Sequence, residues 1–133
     1  MDGPRQKPLV LILAREFAST LAMPMFVADA DGNLVFYNEP AEDVLGKSYA
    51  EIGEISAEEW TKLFKPEDLS GQPLGFAERP TGIALNERRP AHAQMRITGL
   101  DGQSRQISVT ALPLFAHEDG FVGVLAVFWE HRD

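Results

Sequence analysis

The fold of this chain is decided by residues 24–46, which read PMFVADADGNLVFYNEPAEDVLG. The first part predicts a strand over 25–28 that is apolar on both of its alternating faces, as expected when both sides are covered. Asp31-Gly32 predicts a two-residue hairpin turn, because glycine takes the positive φ of such a turn without steric cost. Residues 34–37 are then the returning strand.

A capped helix follows this hairpin. Asn38 is suited to the N-cap position, Pro40 to the first turn, and Gly46 to a left-handed helix end. The stretch as a whole therefore predicts strand, turn, strand and helix, an order typical of α+β domains.

Composition sets the class of protein. A chain of 133 residues, of which 44% are apolar and 24% charged, predicts one globular domain with its own core. No apolar run is long enough to span a membrane, and Arg15 and Glu16 interrupt the apolar run of 9–14, so we expect a cytoplasmic protein without a membrane partner. The absence of cysteine excludes disulfides, thiolate metal sites and cysteine nucleophiles.

The net charge of −8 is concentrated in one part of the chain. Between Asp29 and Glu59 there are nine acidic residues and one basic residue, Lys47. Negative charge of this density argues against nucleic acid as a partner, because it would repel the phosphate backbone. It indicates either a solvated acidic surface or a docking surface for a basic partner.

Helix signals recur along the first two thirds of the chain. Pro8 predicts a helix running to about Ala22, and Ser56 with Glu59 forms a capping-box pattern before a helix that ends ahead of Pro66. A loop is expected from Glu67 to Gly75, and another helix from Pro80 to about Glu87. The apolar stripe of the first helix consists of Leu9, Ile12, Leu13, Phe17 and Leu21.

The C-terminal part changes to the period of strands. Residues 93–97 and 107–111 alternate between apolar and polar side chains around an Asp101-Gly102 turn, which predicts two half-buried antiparallel strands. Residues 121–129 are apolar on both faces. This last strand is therefore expected inside the sheet, with the first helix or a second subunit covering its outer side.

From residue 24 to about 129 the chain resembles a PAS domain. Besides residues 24–46 and the order of elements, the resemblance is carried by residues 80–85, 88–90, 100–102, 111–115 and 119–124. It implies an α+β fold, namely a five-stranded antiparallel sheet flanked by short helices, with the first and last strands at its centre. We expect residues 1–23 to form an amphipathic helix on the outer sheet face or at a dimer interface, and residues 24–133 to form the PAS domain.

The resemblance implies haem, flavin, a small metabolite or no ligand at all. The absence of cysteine excludes a covalent flavin adduct and a thioester chromophore. Haem is not favoured, because the last helix has no histidine, and His92 is expected on a polar strand face. Met95 is expected to pack in the core, and His117 and His131 have no neighbourhood typical of a metal site. The cofactor is therefore unknown.

No catalytic arrangement is visible in the sequence. Asp29 and Asp31 are close together, but their place in a turn explains them. We expect a protein that is not an enzyme, with a small α+β enzyme as the remote alternative.

The first functional hypothesis is a cavity between the sheet and the short helices. Its composition favours a small apolar or amphipathic ligand over a charged one, with Tyr37 and Trp60 as polar handles. The alternative is that these side chains simply fill the core. The predicted lining is Phe26 (or Val27), Tyr37, Trp60, Phe64, Ile83, Leu85, Met95, Ile97, Val109 and Phe128.

The second hypothesis is a ligand-free dimerisation or protein-interaction module. The wide apolar stripe of the first helix and the second face of the last strand favour a homodimer, unless the helix packs on its own sheet. The predicted interface is Leu9, Ile12, Leu13, Phe17, Leu21 and Trp129. A signalling partner in transcription regulation or kinase signalling is expected. PAS modules that drive a kinase or cyclase often end in an Asp-x-Thr signature, which residues 130–133 lack. We therefore expect that the chain either acts in trans or is an excised piece.

Overall fold

The computed structural model describes residues 9–116 and 120–131. Five helices, one 3₁₀ turn and five strands follow one another in these ranges. In chain order they are α1 Leu9–Ser19, β1 Met25–Asp29, β2 Leu34–Tyr37, α2 Glu39–Leu45, α3 Tyr49–Ile52, α4 Ala57–Phe64, the 3₁₀ turn Phe76–Glu78, α5 Pro80–Glu87, β3 Ala91–Thr98, β4 Ser104–Phe115 and β5 Phe121–Glu130.

The strands form one antiparallel sheet in the order β2-β1-β5-β4-β3. The predicted α+β fold is confirmed, and the first and last strands lie at the centre of the sheet. In their pairing, Phe26 lies opposite Ala126 and Val27 opposite Leu125.

Each face of the sheet carries its own core. On the inner face, helices α2, α4 and α5 contribute to a cluster with Phe26, Met95 and Phe128. On the outer face, α1 packs against Met25, Val27 and other residues of the central strands. The two clusters explain why β1 and β5 are apolar on both sides.

The first hairpin is wider than the two-residue turn that the sequence predicts. Gly32 has the expected positive φ of 87°, but β1 and β2 are joined by four residues, 30–33. The carboxylate of Asp29 accepts hydrogen bonds from the backbone N–H groups of Asp31 and Asn33 and from the side-chain amide of Asn33. These three bonds stabilise a larger turn at the cost of the tighter one.

Helix ends also differ from the predictions in part. Helix α1 ends at Ser19 rather than near Ala22, and the hydroxyl groups of Ser19 and Thr20 bond back to carbonyl groups of its last turn. The predicted caps of α2 and α4 are present.

Helix α3 and the 3₁₀ turn are present in the structure and were not predicted from the sequence. The predicted role of Pro8 and the position of His117 lie outside the described residues.

Within the part of the chain that the structure describes, no helix has the length and apolar character needed to cross a membrane.

Candidate functional site

A small apolar space lies between the inner face of the sheet and helices α2 and α4. Its volume is about 30 Å³, close to the share of one water molecule in the liquid. In this conformation the core is therefore nearly filled. The lining consists of Phe26, Leu34, Leu45, Trp60, Phe64, Met95, Ile97, Ile107, Val109 and Phe128.

Seven of the ten predicted cavity residues are in that lining, and Tyr37, Ile83 and Leu85 are not. Tyr37 is buried in the inner core, and its hydroxyl donates to the carbonyl oxygen of Lys47 at 2.7 Å. Burial raises the pKa of Tyr37 above its usual value. Ile83 is half-buried in α5, and Leu85 borders a surface groove. Between the alternatives Phe26 and Val27, Phe26 points inward.

Beside the cavity lies a buried arginine that sequence reasoning missed. Arg79 is 1% exposed, and its guanidinium lies 4.7 Å from the ring centre of Trp60 and 5.1 Å from that of Phe76. Its Nη2 donates to Oγ1 of Thr61 at 2.8 Å. Burial lowers the pKa of Arg79 to about 10. An arginine ahead of a helix-opening proline is usually exposed, so no local signal indicated this position.

Three donor nitrogen atoms in this arrangement have no hydrogen-bond partner among the described residues. They are Nε and Nη1 of Arg79 and Nε1 of Trp60. Trp60 was predicted as a polar handle of the cavity; its ring lines the space, and its indole N–H has no acceptor among the described residues. The site therefore combines an apolar space with a group of unsatisfied donors beside it, since Trp60 lines that space and Arg79 stacks on Trp60 without being part of the lining.

On the outer side of the molecule, α1 has two different faces. Leu11, Ala14 and Ala18 are buried against the sheet. The opposite face exposes four large apolar side chains: Leu9 (68%), Ile12 (45%), Leu13 (57%) and Phe17 (53%). The helix thus packs on its own sheet and still presents most of its predicted interface residues outward.

The other two predicted interface residues lie apart from this exposed face. Leu21 is half-buried and packs against the outer core. Trp129 is 38% exposed near the end of β5, and its ring lies 5.9 Å from that of His92. His92 is exposed, as the alternation predicted, and its Nδ1 is hydrogen-bonded to the hydroxyl of Thr110 at 2.7 Å.

One buried side chain connects the end of α1 to β1 and to α2. Asn38 accepts hydrogen bonds from the backbone N–H groups of Met25 and Ala41, at 3.0 and 3.2 Å. Its amide nitrogen donates to the carbonyl oxygens of Ala18 and Met23, at 2.9 and 2.8 Å. The sequence predicted the cap of α2 but not the three other bonds.

Metal-binding side chains are not clustered in the described part of the chain, where no group of three histidine, aspartate or glutamate residues lies close enough to hold an ion. His131 is hydrogen-bonded to Ser108 through Nε2.

Comparison with known proteins assigns the family. A family model described as the PAS fold matches residues 13–128. The chain therefore belongs to the PAS family, whose members are generally sensory and signalling modules. No curated protein matches the chain.

Solved structures share the fold at low sequence identity. The PAS domain of BvgS from Bordetella pertussis is 16% identical, with a TM-score of 0.61 over 92% of this chain and 86% of that one. The PAS domain of nitrogen regulation protein NR(II) from Vibrio parahaemolyticus is 16% identical, with a TM-score of 0.64 over 90% and 98%. A LOV protein from Rhodobacter sphaeroides is 14% identical, with a TM-score of 0.69 over 88% and 64%.

Proposed function

We propose that this chain is a regulatory PAS domain that acts as a homodimer and has no catalytic activity of its own. The observation that carries the proposal is the outward face of α1, defined by Leu9, Ile12, Leu13 and Phe17. Four large apolar side chains on one helix are unfavourable in water, since burying each would contribute roughly 1.5–3 kcal/mol. A partner that covers this face is therefore strongly favoured.

A second copy of the chain suits this face. Leu9, Leu13 and Phe17 are spaced four residues apart, so they form a stripe along the helix that can pack against the same stripe of a partner. The charges of α1 are balanced, with Arg15 and Glu16.

The test is the mass of the protein in solution, measured by light scattering after size-exclusion chromatography. The wild type is expected at twice the mass of the chain, and the Leu13→Asp/Phe17→Asp variant at the monomer mass. Leu69→Asp is the matched control, because Leu69 is 42% exposed but lies in the 67–75 loop. A monomeric wild type, or a dimer that survives the double substitution with the fold intact, would contradict the proposal.

The regulatory output is proposed to be a shift between two populations of the dimer. Residues 1–23 would serve as the association segment and residues 24–133 as the PAS domain, in the cytoplasm. A protein partner in kinase signalling or transcription regulation is proposed by analogy with the fold neighbours, among them a protein named for nitrogen regulation.

The cavity supports a second candidate function, the sensing of a small apolar or amphipathic molecule. The observation in its favour is that seven predicted residues line one apolar space. Because about 30 Å³ accommodates little more than a water molecule, a ligand would have to bind a more open state. Native mass spectrometry with an absorbance scan of the fresh protein tests this, since a filled cavity would release extra mass on denaturation.

A further inference from the structure

The buried pair of Arg79 and Trp60 presents hydrogen-bond donors without acceptors. Nε and Nη1 of Arg79 and Nε1 of Trp60 are shielded from water and have no partner among the described residues. Buried donors are almost always paired, and a buried cation is normally paired with an anion. The pair is therefore incomplete as it stands.

Neighbouring groups do not complete it. Thr61 accepts one bond from Nη2 of Arg79 and donates its own hydroxyl proton to the carbonyl oxygen of Ala57 at 2.7 Å. The rings of Trp60 and Phe76 give the guanidinium favourable aromatic faces, but they provide no acceptor for Nε or Nη1.

Carboxylates of the neighbouring segments do not pair with Arg79 in the described chain and have other partners. Glu78 accepts from the backbone N–H of Gly75 at 2.8 Å, Glu59 accepts from that of Ser56, and Glu58 pairs with Lys62. Burial is the sole cause of the lowered pKa of Arg79, so no described carboxylate offsets its charge. Arg79 is also the N-cap residue of α5, and its side chain does not cap that helix.

We propose that Arg79 and Trp60 bind the carboxylate of a small amphiphilic acid whose apolar part occupies the cavity. A carboxylate has two acceptor oxygens and no donor, so one oxygen can serve the planar guanidinium and the other the indole N–H. Trp60 contributes apolar ring atoms to the cavity lining, and Arg79, which is outside the lining, stacks on the same ring. The apolar and the charged part of such a ligand would therefore meet at Trp60 once the cavity opens.

This inference rests on the second candidate function and changes its chemistry. The apolar lining alone favoured an uncharged ligand, whereas the buried cation selects an anion. Because the cavity in this structure is small, the acid would bind a state in which the sheet and α4 have moved apart, and it would stabilise that state.

The experiment compares octanoate with octanol, which share an alkyl chain and differ in the carboxylate. Binding is followed by fluorescence in a Trp129→Phe background, where Trp60 is the remaining indole of the two in the chain. Octanoate is expected to change the emission of Trp60 and to bind about tenfold or more tightly than octanol, the ratio typical of a charged hydrogen bond.

Two variants assign this preference to the site. Arg79→Met keeps an unbranched side chain without the charge, and it should bind octanoate and octanol equally. Arg89→Met is the matched control, since Arg89 is exposed and pairs with Glu87, and it should keep the preference. If Arg79→Met does not fold, Trp60→Phe is used instead, because this substitution removes the indole N–H and keeps an aromatic ring. Binding to this variant is measured by calorimetry. The substitution should lower the preference for octanoate.

The outcomes separate the two ideas. Equal binding of both compounds by the wild type would overturn the carboxylate site and leave the cavity as a sensor of apolar molecules. Binding of neither would overturn both. A preference for octanoate that persists in Arg79→Met would show that the carboxylate binds elsewhere, and would also overturn the inference.

Discussion

At the scale of single residues, Asn38 joins segments that are distant in the sequence. It is 1% exposed and uses its amide in four hydrogen bonds to four different residues. Both ends of the amide are satisfied, which is what makes a buried polar side chain favourable.

We expect Asn38→Ala to lower the free energy of unfolding by about 3 kcal/mol, because it removes a helix cap and leaves buried backbone groups without partners. Urea unfolding followed by circular dichroism measures this loss. Ser48→Ala, which removes the cap of the short helix α3, is the control and should cost about 1 kcal/mol or less. Equal losses in the two variants would refute the special role of Asn38.

Residues of this kind mark the limit of what the sequence could predict. The cap formed by Asn38 was predictable, because it depends on neighbours three residues away. Its bonds to Ala18 and Met23, and the burial of Arg79 between Trp60 and Phe76, depend on segments that meet only in the folded chain. No local pattern encodes such contacts.

At the scale of elements, local signals performed well where they were regular. The strands, the caps of α2 and α4, and the extent of α5 follow from periodicity, capping and proline. Helix α3 was missed although Ser48 and Glu51 have the spacing of a capping box, because a helix of four residues has no apolar period to detect. For α1 the helical spacing of the apolar residues was visible in the sequence. The sequence did not show which of these apolar residues face the sheet.

The turn between β3 and β4 contains a carboxylate with a lowered pKa, that of Asp101. The guanidinium of Arg105 donates to Asp101 at 2.8 and 3.1 Å, and the backbone N–H of Gln103 adds a bond at 3.1 Å. The hydrogen bonds from Arg105 lower the pKa of Asp101 from 3.8 to about 2. The lowered pKa means that the carboxylate contributes stability above about pH 4 and that this contribution is lost as the pH falls toward 2.

Asp101→Asn should therefore make the protein less sensitive to acid. Its melting temperature is expected to fall less than that of the wild type between about pH 4 and pH 2. Asp43→Asn, which removes an exposed carboxylate of α2, is the control for the change in net charge. Parallel curves for wild type and Asp101→Asn would show that the turn does not depend on this ion pair.

At the scale of the whole molecule, the sheet separates two sides with different features. The inner side holds the cavity, Arg79 and several of the acidic helices, and the outer side holds the apolar face of α1. The fold class and the central position of β1 and β5 were predictable, since a strand that is apolar on both faces has to be covered twice. The partner of the outer side was not predictable from the sequence, because which apolar residues of α1 stay exposed is known only once the helix has packed on the sheet.

A dimer formed through α1 should make thermal stability depend on concentration. The melting temperature of the wild type is expected to rise by several degrees over about a hundredfold increase in protein concentration, since association stabilises the folded chain by mass action. In Leu13→Asp/Phe17→Asp the melting temperature should not change with concentration. Differential scanning fluorimetry over a dilution series measures both, and a flat wild-type series would contradict the dimer.

The four bonds of Asn38 have a further consequence for how the domain opens. One amide binds the end of α1, the segment before β1, β1 itself and the start of α2. If α1 detached, polar groups in the other three segments would be exposed to water or left without hydrogen-bond partners. These segments should therefore exchange their amide hydrogens with solvent as a single cooperative unit. A signal that arrives on one side of the sheet would then reach the other in an all-or-none step rather than a graded one.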